Sequence, residues 1–265
     1  MNNHYEYWNS FVLKWVLCPI GPDNLYNTEP DPNTGLKDYS KDYIPEPWWG
    51  NCGKDDTPLY SVCLNLNPGK GDPELQTRKN KPLVSIDRYP DVFNLLPATH
   101  NWHASKRAKP IGNALRAIKG IPAGDLSHHL SVELIPWHTE HASDALGYWS
   151  FVKNNVDSIF DHSFMFAADE AKRISGPLKN TVLMRFSESA ANRIFKLFED
   201  RGLICSPMMK HVASLSNPNV HATLFTFPNN PRLSEHRFVA IWRSKGFGLN
   251  NFPDNESMEE IIRQL

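Results

Sequence analysis

The chain has 265 residues, 40% of them hydrophobic, enough for one substantial core with insertions. Its 28 Lys+Arg stand against 29 Asp+Glu, so no global basic field marks a polyanionic partner. Cys18, Cys52, Cys63 and Cys205 form no Cys-x-x-Cys pair, which leaves zinc ribbons and cluster sites without their ligand spacing.

The opening residues, Met1 to Glu6, carry no basic segment followed by an apolar one, and no window approaches the ~18 apolar residues of a membrane span. A soluble, cytoplasmic protein is expected. Within 5–17, Tyr5, Trp8, Phe11, Val12, Trp15 and Val16 recur at helical spacings and predict an amphipathic helix. Residues 18–58 are rich in Pro, Asn, Asp and Gly and predict a loop-dominated arm. Its Trp48 and Trp49 either cap the core or line a groove; core packing is the commoner use of such rings.

A first strand is predicted over 60–66, where an apolar run ends abruptly in Asn67-Pro68-Gly69. From Val92 to Gly124 there is no acidic residue, while Lys106, Arg107, Lys109, Arg116 and Lys119 fall inside. Such a one-signed stretch is either a footprint for phosphates or a solvated helix face. A helix is predicted over 111–119, a second strand over 130–135 before Pro136, and a helical region over 142–174 starting near Ser143-Asp144. A third strand, 181–186, hands over to a helix with Ala190, Ile194, Leu197 and Phe198 on one face, stopped near Gly202. A fourth strand, 211–215, runs into Asn217-Pro218-Asn219, and a last one covers 238–242. Alternation of this kind predicts an α/β fold, three-layer α/β/α, with a central, mostly parallel four-stranded sheet. One domain is expected: a core at about 58–225, an arm at 1–57 and a C-terminal extension at 226–265.

In parallel strands the polar ends share one rim, where open α/β sheets bind ligands. Asn67-Pro68-Gly69, Glu133 ahead of Pro136-Trp137-His138, and Asn217-Pro218-Asn219 would then line a common crevice. Over residues 58–225 the sequence resembles the uracil-DNA glycosylase superfamily. That family has a first motif at the end of strand one and a second on the loop after strand four. Asn65-Leu66-Asn67-Pro68-Gly69 resembles the Gly-Ile-Asn-Pro-Gly of its mismatch-specific branch, and Asn217-Pro218-Asn219 resembles that branch's Asn-Pro-Ser less closely. Asn65 replaces the leading Gly and Asn219 the final Ser.

The resemblance implies a monofunctional DNA glycosylase that flips a nucleotide from the stack and hydrolyses its N-glycosidic bond. It needs no cofactor or metal, and its partner is double-stranded DNA carrying a modified base, bound by a monomer without a membrane. On this resemblance Asn67 orients water and Asn217 supports the departing base. Asn65, Pro68, Gly69, Glu133, Trp137, His138 and Asn219 surround the substrate, and Lys70, Lys106, Arg107 and Lys109 face DNA. The uracil-specific branch has a Tyr that blocks pyrimidine C5 where this chain has Gly69. A carboxylate at Glu133 accepts from the cytosine N4 amine. Together they imply a bulky C5-modified cytosine, such as the glucosylated hydroxymethylcytosine of some phage genomes, and hence a role in antiviral defence.

Three alternatives stand beside this. One is a uracil or mismatch repair glycosylase, and another is a module that binds DNA or a modified base without cutting. The third is a metal-dependent hydrolase built on His128, His129, Glu133, His138, Glu140 and His141, although Pro136 breaks any continuous helix through that cluster. Trp137, Trp102, Phe93 and Phe186 are candidates for stacking on a base, most aromatic residues of this kind being core. Trp102 and His103 could instead sit against the DNA backbone.

Overall fold

The computed structural model describes residues 4, 6–8, 10–12, 45–50, 58–68, 111–118, 128–138, 147–212, 215–244 and 253–265. Gly69, Lys70, Phe93, Trp102, His103, Lys106, Arg107, Lys109, Lys119, Glu140, His141 and the Ser143-Asp144 helix start lie outside the described residues. The same holds for Trp15, Val16 and the side chain of Trp49.

Among the described residues, seven strands form a mixed sheet: β1 (Trp48–Gly50), β2 (Ser61–Asn65), β3 (His129–Glu133), β4 (Thr181–Met184), β5 (Met208–His211), β6 (Val220–Thr226) and β7 (Arg237–Arg243). Their order is β1-β3-β2-β4-β7-β6-β5. β2 pairs parallel with β4, and β4 with β7. β3 runs in the same sense as β2, since the Tyr60 amide donates to the His128 carbonyl before the strands and Ile135 to Leu66 after them. Those four strands are all buried at their centres, as expected of parallel strands covered on both faces.

The sheet is wider than the four strands expected from sequence, and its fourth parallel strand is β7. Of the predicted strand at 211–215 only His211 is in a strand, as the end of β5, an exposed edge strand antiparallel to β6, and residues 213–214 lie outside the described residues. β6, antiparallel to β7, was not among the expected strands at all. The Asn-Pro-Asn turn therefore opens β6 rather than closing a parallel strand. β1 was likewise unforeseen. Gly50 within it has φ +98, and a Cβ there would stand 2.0 Å from the His129 carbonyl oxygen, so the close approach of β1 to β3 requires glycine.

Residues 111–118 form helix α1. Tyr148–Asn154 (α2) and Val156–Ile159 (α3) are followed by a π-helical turn, Phe160–Phe164, and Met165–Ala171 (α4). α5 (Glu188–Asp200) is capped by Ser187, whose hydroxyl accepts from the Ala190 amide. It buries Ala190, Ala191, Ile194, Phe195 and Phe198. It ends where Gly202, at φ +71, returns its amide to Glu199 while Leu203 returns to Phe198. Phe195 meets Phe225 and Phe238 edge-on at 5.0 and 6.3 Å, fixing α5 on one face of β6 and β7. α6 is Asn255–Gln264.

The chain divides into two compact units, each built from three stretches: 1–49, 66–101 and 133–166 in one, and 50–65, 102–132 and 167–265 in the other. In the first, Trp8, Phe11 and Val12 of the N-terminal helical segment are buried. The Trp8 indole donates to the His162 carbonyl at 2.8 Å, and Tyr7 stacks on the His162 ring. Burial pushes the Tyr7 hydroxyl up to about 12 and lowers the pKa of His162. No helix among the described residues is long and apolar enough to cross a membrane.

Candidate functional site

In the first unit, the chain leaving β2 passes through Leu66, Asn67 and Pro68, and the chain leaving β3 passes through Leu134 to His138. Asn67 is buried. Its Nδ2 donates to the Pro68 carbonyl at 3.2 Å and to the Trp137 carbonyl at 3.1 Å. Both amide hydrogens are thereby committed, which fixes the rotation of the side chain and leaves Oδ1 as its acceptor end. Trp137 contributes through its backbone. Its ring is fully buried and lies 5.6 Å from Phe11, so it does not present a face on which a base could stack.

Glu133, the last residue of β3, is 1% exposed, and its amide donates to the Pro47 carbonyl at 2.9 Å. Near it, the Tyr148 hydroxyl donates to the Leu66 carbonyl at 3.0 Å. Burial foremost, and then the charge of Glu133, holds that hydroxyl well above its ordinary pKa, so Tyr148 stays a neutral donor. His138 is buried too, with Nε2 3.1 Å from the Glu46 carboxylate, itself buried. The Glu46 amide also donates to the Pro136 carbonyl. The short segment 45–48 thus clamps the loop carrying Trp137, and so the carbonyl that holds Asn67. Asn67, Pro68, Glu133, Trp137 and His138 all belong to this unit. Glu46 and Tyr148 were not legible as site residues.

In the second unit, Asn65 is a structural bridge. Its Nδ2 donates to Ser131 Oγ at 2.6 Å, and its Oδ1 accepts from Arg185 at 3.3 Å, tying β2 to its neighbours on both sides. The described histidines of the alternative metal cluster have separate partners. His128 Nδ1 contacts the Pro58 carbonyl, His129 Nδ1 lies 2.6 Å from Ser61 Oγ, and His138 pairs with Glu46. Among the described residues, no group of three or more His, Cys, Asp or Glu side chains is placed to hold a metal ion. Phe186 is buried core.

Asn217 and Asn219 also lie in the second unit. Asn217 Oδ1 accepts from the Asn219 amide at 3.1 Å, closing an Asx turn, and its Nδ2 donates to Asp254 at 3.2 Å. The Asn219 carbonyl accepts from the Ser244 amide at 2.9 Å. Asp254 caps α6 through the Ser257 amide and lies 3.4 Å from Arg243. Burial alone would raise its pKa, but hydrogen bonds from Ser257 and Asn217 hold the carboxyl below its ordinary value. The amide of Asn217 is therefore spent on its own turn and on the start of α6.

Around the same turn, Thr223 donates to Glu188 Oε2 at 2.6 Å and meets His211 Nδ1 at 3.2 Å, and His221 stacks on Trp242. None of these five was singled out from sequence as a binding residue. No protein-family model, curated protein or solved structure matches the chain.

Proposed function

We propose that this protein is a monofunctional DNA glycosylase acting on a C5-modified cytosine in double-stranded DNA, built on a three-layer α/β/α core. The observation that carries the reading is the immobilised Asn67 amide just past the carboxyl end of β2. An acceptor fixed in that way can take one hydrogen of a water and point its lone pair at a sugar carbon. The C1′–N bond breaks with its electron pair leaving on the base, and water oxygen then bonds to the electron-poor C1′. The water's proton ends on the base or in solvent. The sugar passes through an oxocarbenium-like state, and a carboxamide suits that step because the bond breaks largely before water attacks.

Buried Glu133, with Tyr148 close by, supports the cytosine assignment, since a carboxylate accepts from an exocyclic amine. With β7 as the fourth parallel strand, Asn217-Pro218-Asn219 does not follow a parallel strand but opens the antiparallel β6. Asn217 then acts as a turn former that holds the neighbouring loop to α6.

The test is a panel of duplex oligonucleotides bearing uracil, thymine mismatches and C5-modified cytosines, scored for alkali-labile sites. Release of modified cytosine, reduced about 10²–10³-fold in Asn67→Ala, is the expected result. Excision of uracil alone overturns the cytosine assignment, and absence of abasic sites from every substrate overturns the glycosylase reading.

A further inference from the structure

We propose that the second unit contains a separate ligand site, selective for a planar heteroaromatic ring bearing an exocyclic amine. It is a cavity of about 320 Å³ lined by Glu188, His211, Val212, Leu215, His221 and Trp242 among others. Glu188 opens α5 just beyond the carboxyl end of β4, and Trp242 is the penultimate residue of β7. The cavity therefore lies past the carboxyl ends of two parallel neighbours, the usual place for a ligand in such a sheet. Strand register brings its side chains to one face. His211 is opposite Thr223, His221 is opposite Trp242, and Thr223 and His221 are two residues apart.

Of the polar side chains lining the cavity, Asn217 is committed to its own turn and to Asp254, while Glu188 and His211 offer acceptors. Thr223 has a single hydroxyl hydrogen, and it goes to Glu188 at 2.6 Å. Its 3.2 Å contact with His211 Nδ1 is then a hydrogen bond only if Nδ1 carries the proton and donates. In the neutral ring this leaves Nε2 as an acceptor. A carboxylate such as that of Glu188 is acceptor-only as well. The lining also includes Val212, Leu215 and the His221 and Trp242 rings, which lie 5.2 Å apart and 23° from parallel. Flat rings and apolar side chains together with these acceptors complement a flat ring with N–H donors at one edge. The volume stands at the small end of ligand pockets, matching a single base or nucleoside rather than a dinucleotide.

This site is independent of the glycosylase reading, because no step assigned to Asn67 or Glu133 uses its residues. The experiment is calorimetric titration of the full-length protein with adenosine and cytidine, against inosine and uridine, in which an oxygen replaces the amine. Adenosine or cytidine is expected to bind, with affinity about 10- to 100-fold above its oxo counterpart, the usual worth of a hydrogen bond to a charged group. Glu188→Gln is expected to erase that preference, because an amide also offers donors to the oxo ring. Trp242→Leu is expected to weaken all the ligands together. Should Trp242→Leu not fold, Glu188→Gln alone decides, since it keeps the shape of the helix start. Equal affinity for amino and oxo nucleosides, no binding at millimolar concentration, or a preference that survives Glu188→Gln each overturns the proposal.

Discussion

The two units handle polar groups in opposite ways at the places the sequence singled out. Around Asn67 the described polar side chains named above are buried. The Asn67 amide, Glu133 and the His138–Glu46 pair are each at most 6% exposed. Around Asn217 the corresponding groups are partly solvated, with His211 at 74% and Asp254 at 47% side-chain exposure. A desolvated hydrogen bond is costly to leave half made, whereas water repairs a broken exposed one. The first rim is therefore a fixed geometry that resists substitution. The second is a surface whose residues can be exchanged at small cost to folding and can meet a ligand.

The largest effect that would break this contrast is at the His138–Glu46 pair. Removing one partner of a buried pair strands the other, which typically costs about 3–5 kcal/mol. Glu46→Ala is expected to fall in that range by urea denaturation, with unchanged slope. If the loss is below about 1 kcal/mol, the segment 45–48 does not clamp the Trp137 loop. A double variant, Glu46→Leu with His138→Leu, should recover part of the loss, because it removes both stranded groups.

Next come Asn67 and Tyr148. Asn67→Ala leaves the Trp137 and Pro68 carbonyls without this donor, and Tyr148→Phe does the same to Leu66. Each is expected to cost about 1–3 kcal/mol in thermal or chemical unfolding. On the solvated side, Asn217→Ala removes the Asx turn and the contact with Asp254, and is expected to cost about 1 kcal/mol or less. If Asn217→Ala proved as damaging as Asn67→Ala, the distinction between the two rims would fail.

Much of the fold was legible because it depends on local pattern. β2, β3 and β4 are short apolar runs with clear breaks, and the apolar spacing of α5 with Gly202 after it marks its face and its end. The hairpin was not legible. Asn217-Pro218-Asn219 signals that the chain turns, but a turn does not say which strands it joins. β5 carries the exposed Met208 and Met209, with no apolar alternation to mark it. The site divides in the same way. Asn67 was visible because it ends an apolar run, whereas Tyr148, 82 residues from the carbonyl it bonds, is placed by tertiary packing alone. Glu46 in its Pro-Glu-Pro setting is another case, since nothing local points to His138. Asn217 carried a real signal for a turn, and its chemical role was an inference from the family motif.

The smallest effect concerns pH and tests the solvated side directly. Asp254 has its carboxyl held below the ordinary value of 3.8 by the hydrogen bonds from Ser257 and Asn217, against the opposing effect of burial. A carboxyl depressed in the folded state binds its proton more readily when unfolded, so the stability it contributes is present above the unfolded pKa. That contribution is lost as pH falls through the lower folded value. Asp254→Asn keeps a side-chain oxygen able to cap α6, and so isolates the charge from the cap. Unfolding curves of the two proteins are expected to differ modestly at pH 7 and to converge as pH falls below about 4, the range in which Asp titrates. In raised salt the difference at pH 7 should shrink, because half of this side chain faces water. A difference that persists undiminished at low pH would mean that Asp254 acts through shape alone. In that case the turn at Asn217 would be held to α6 by geometry rather than charge.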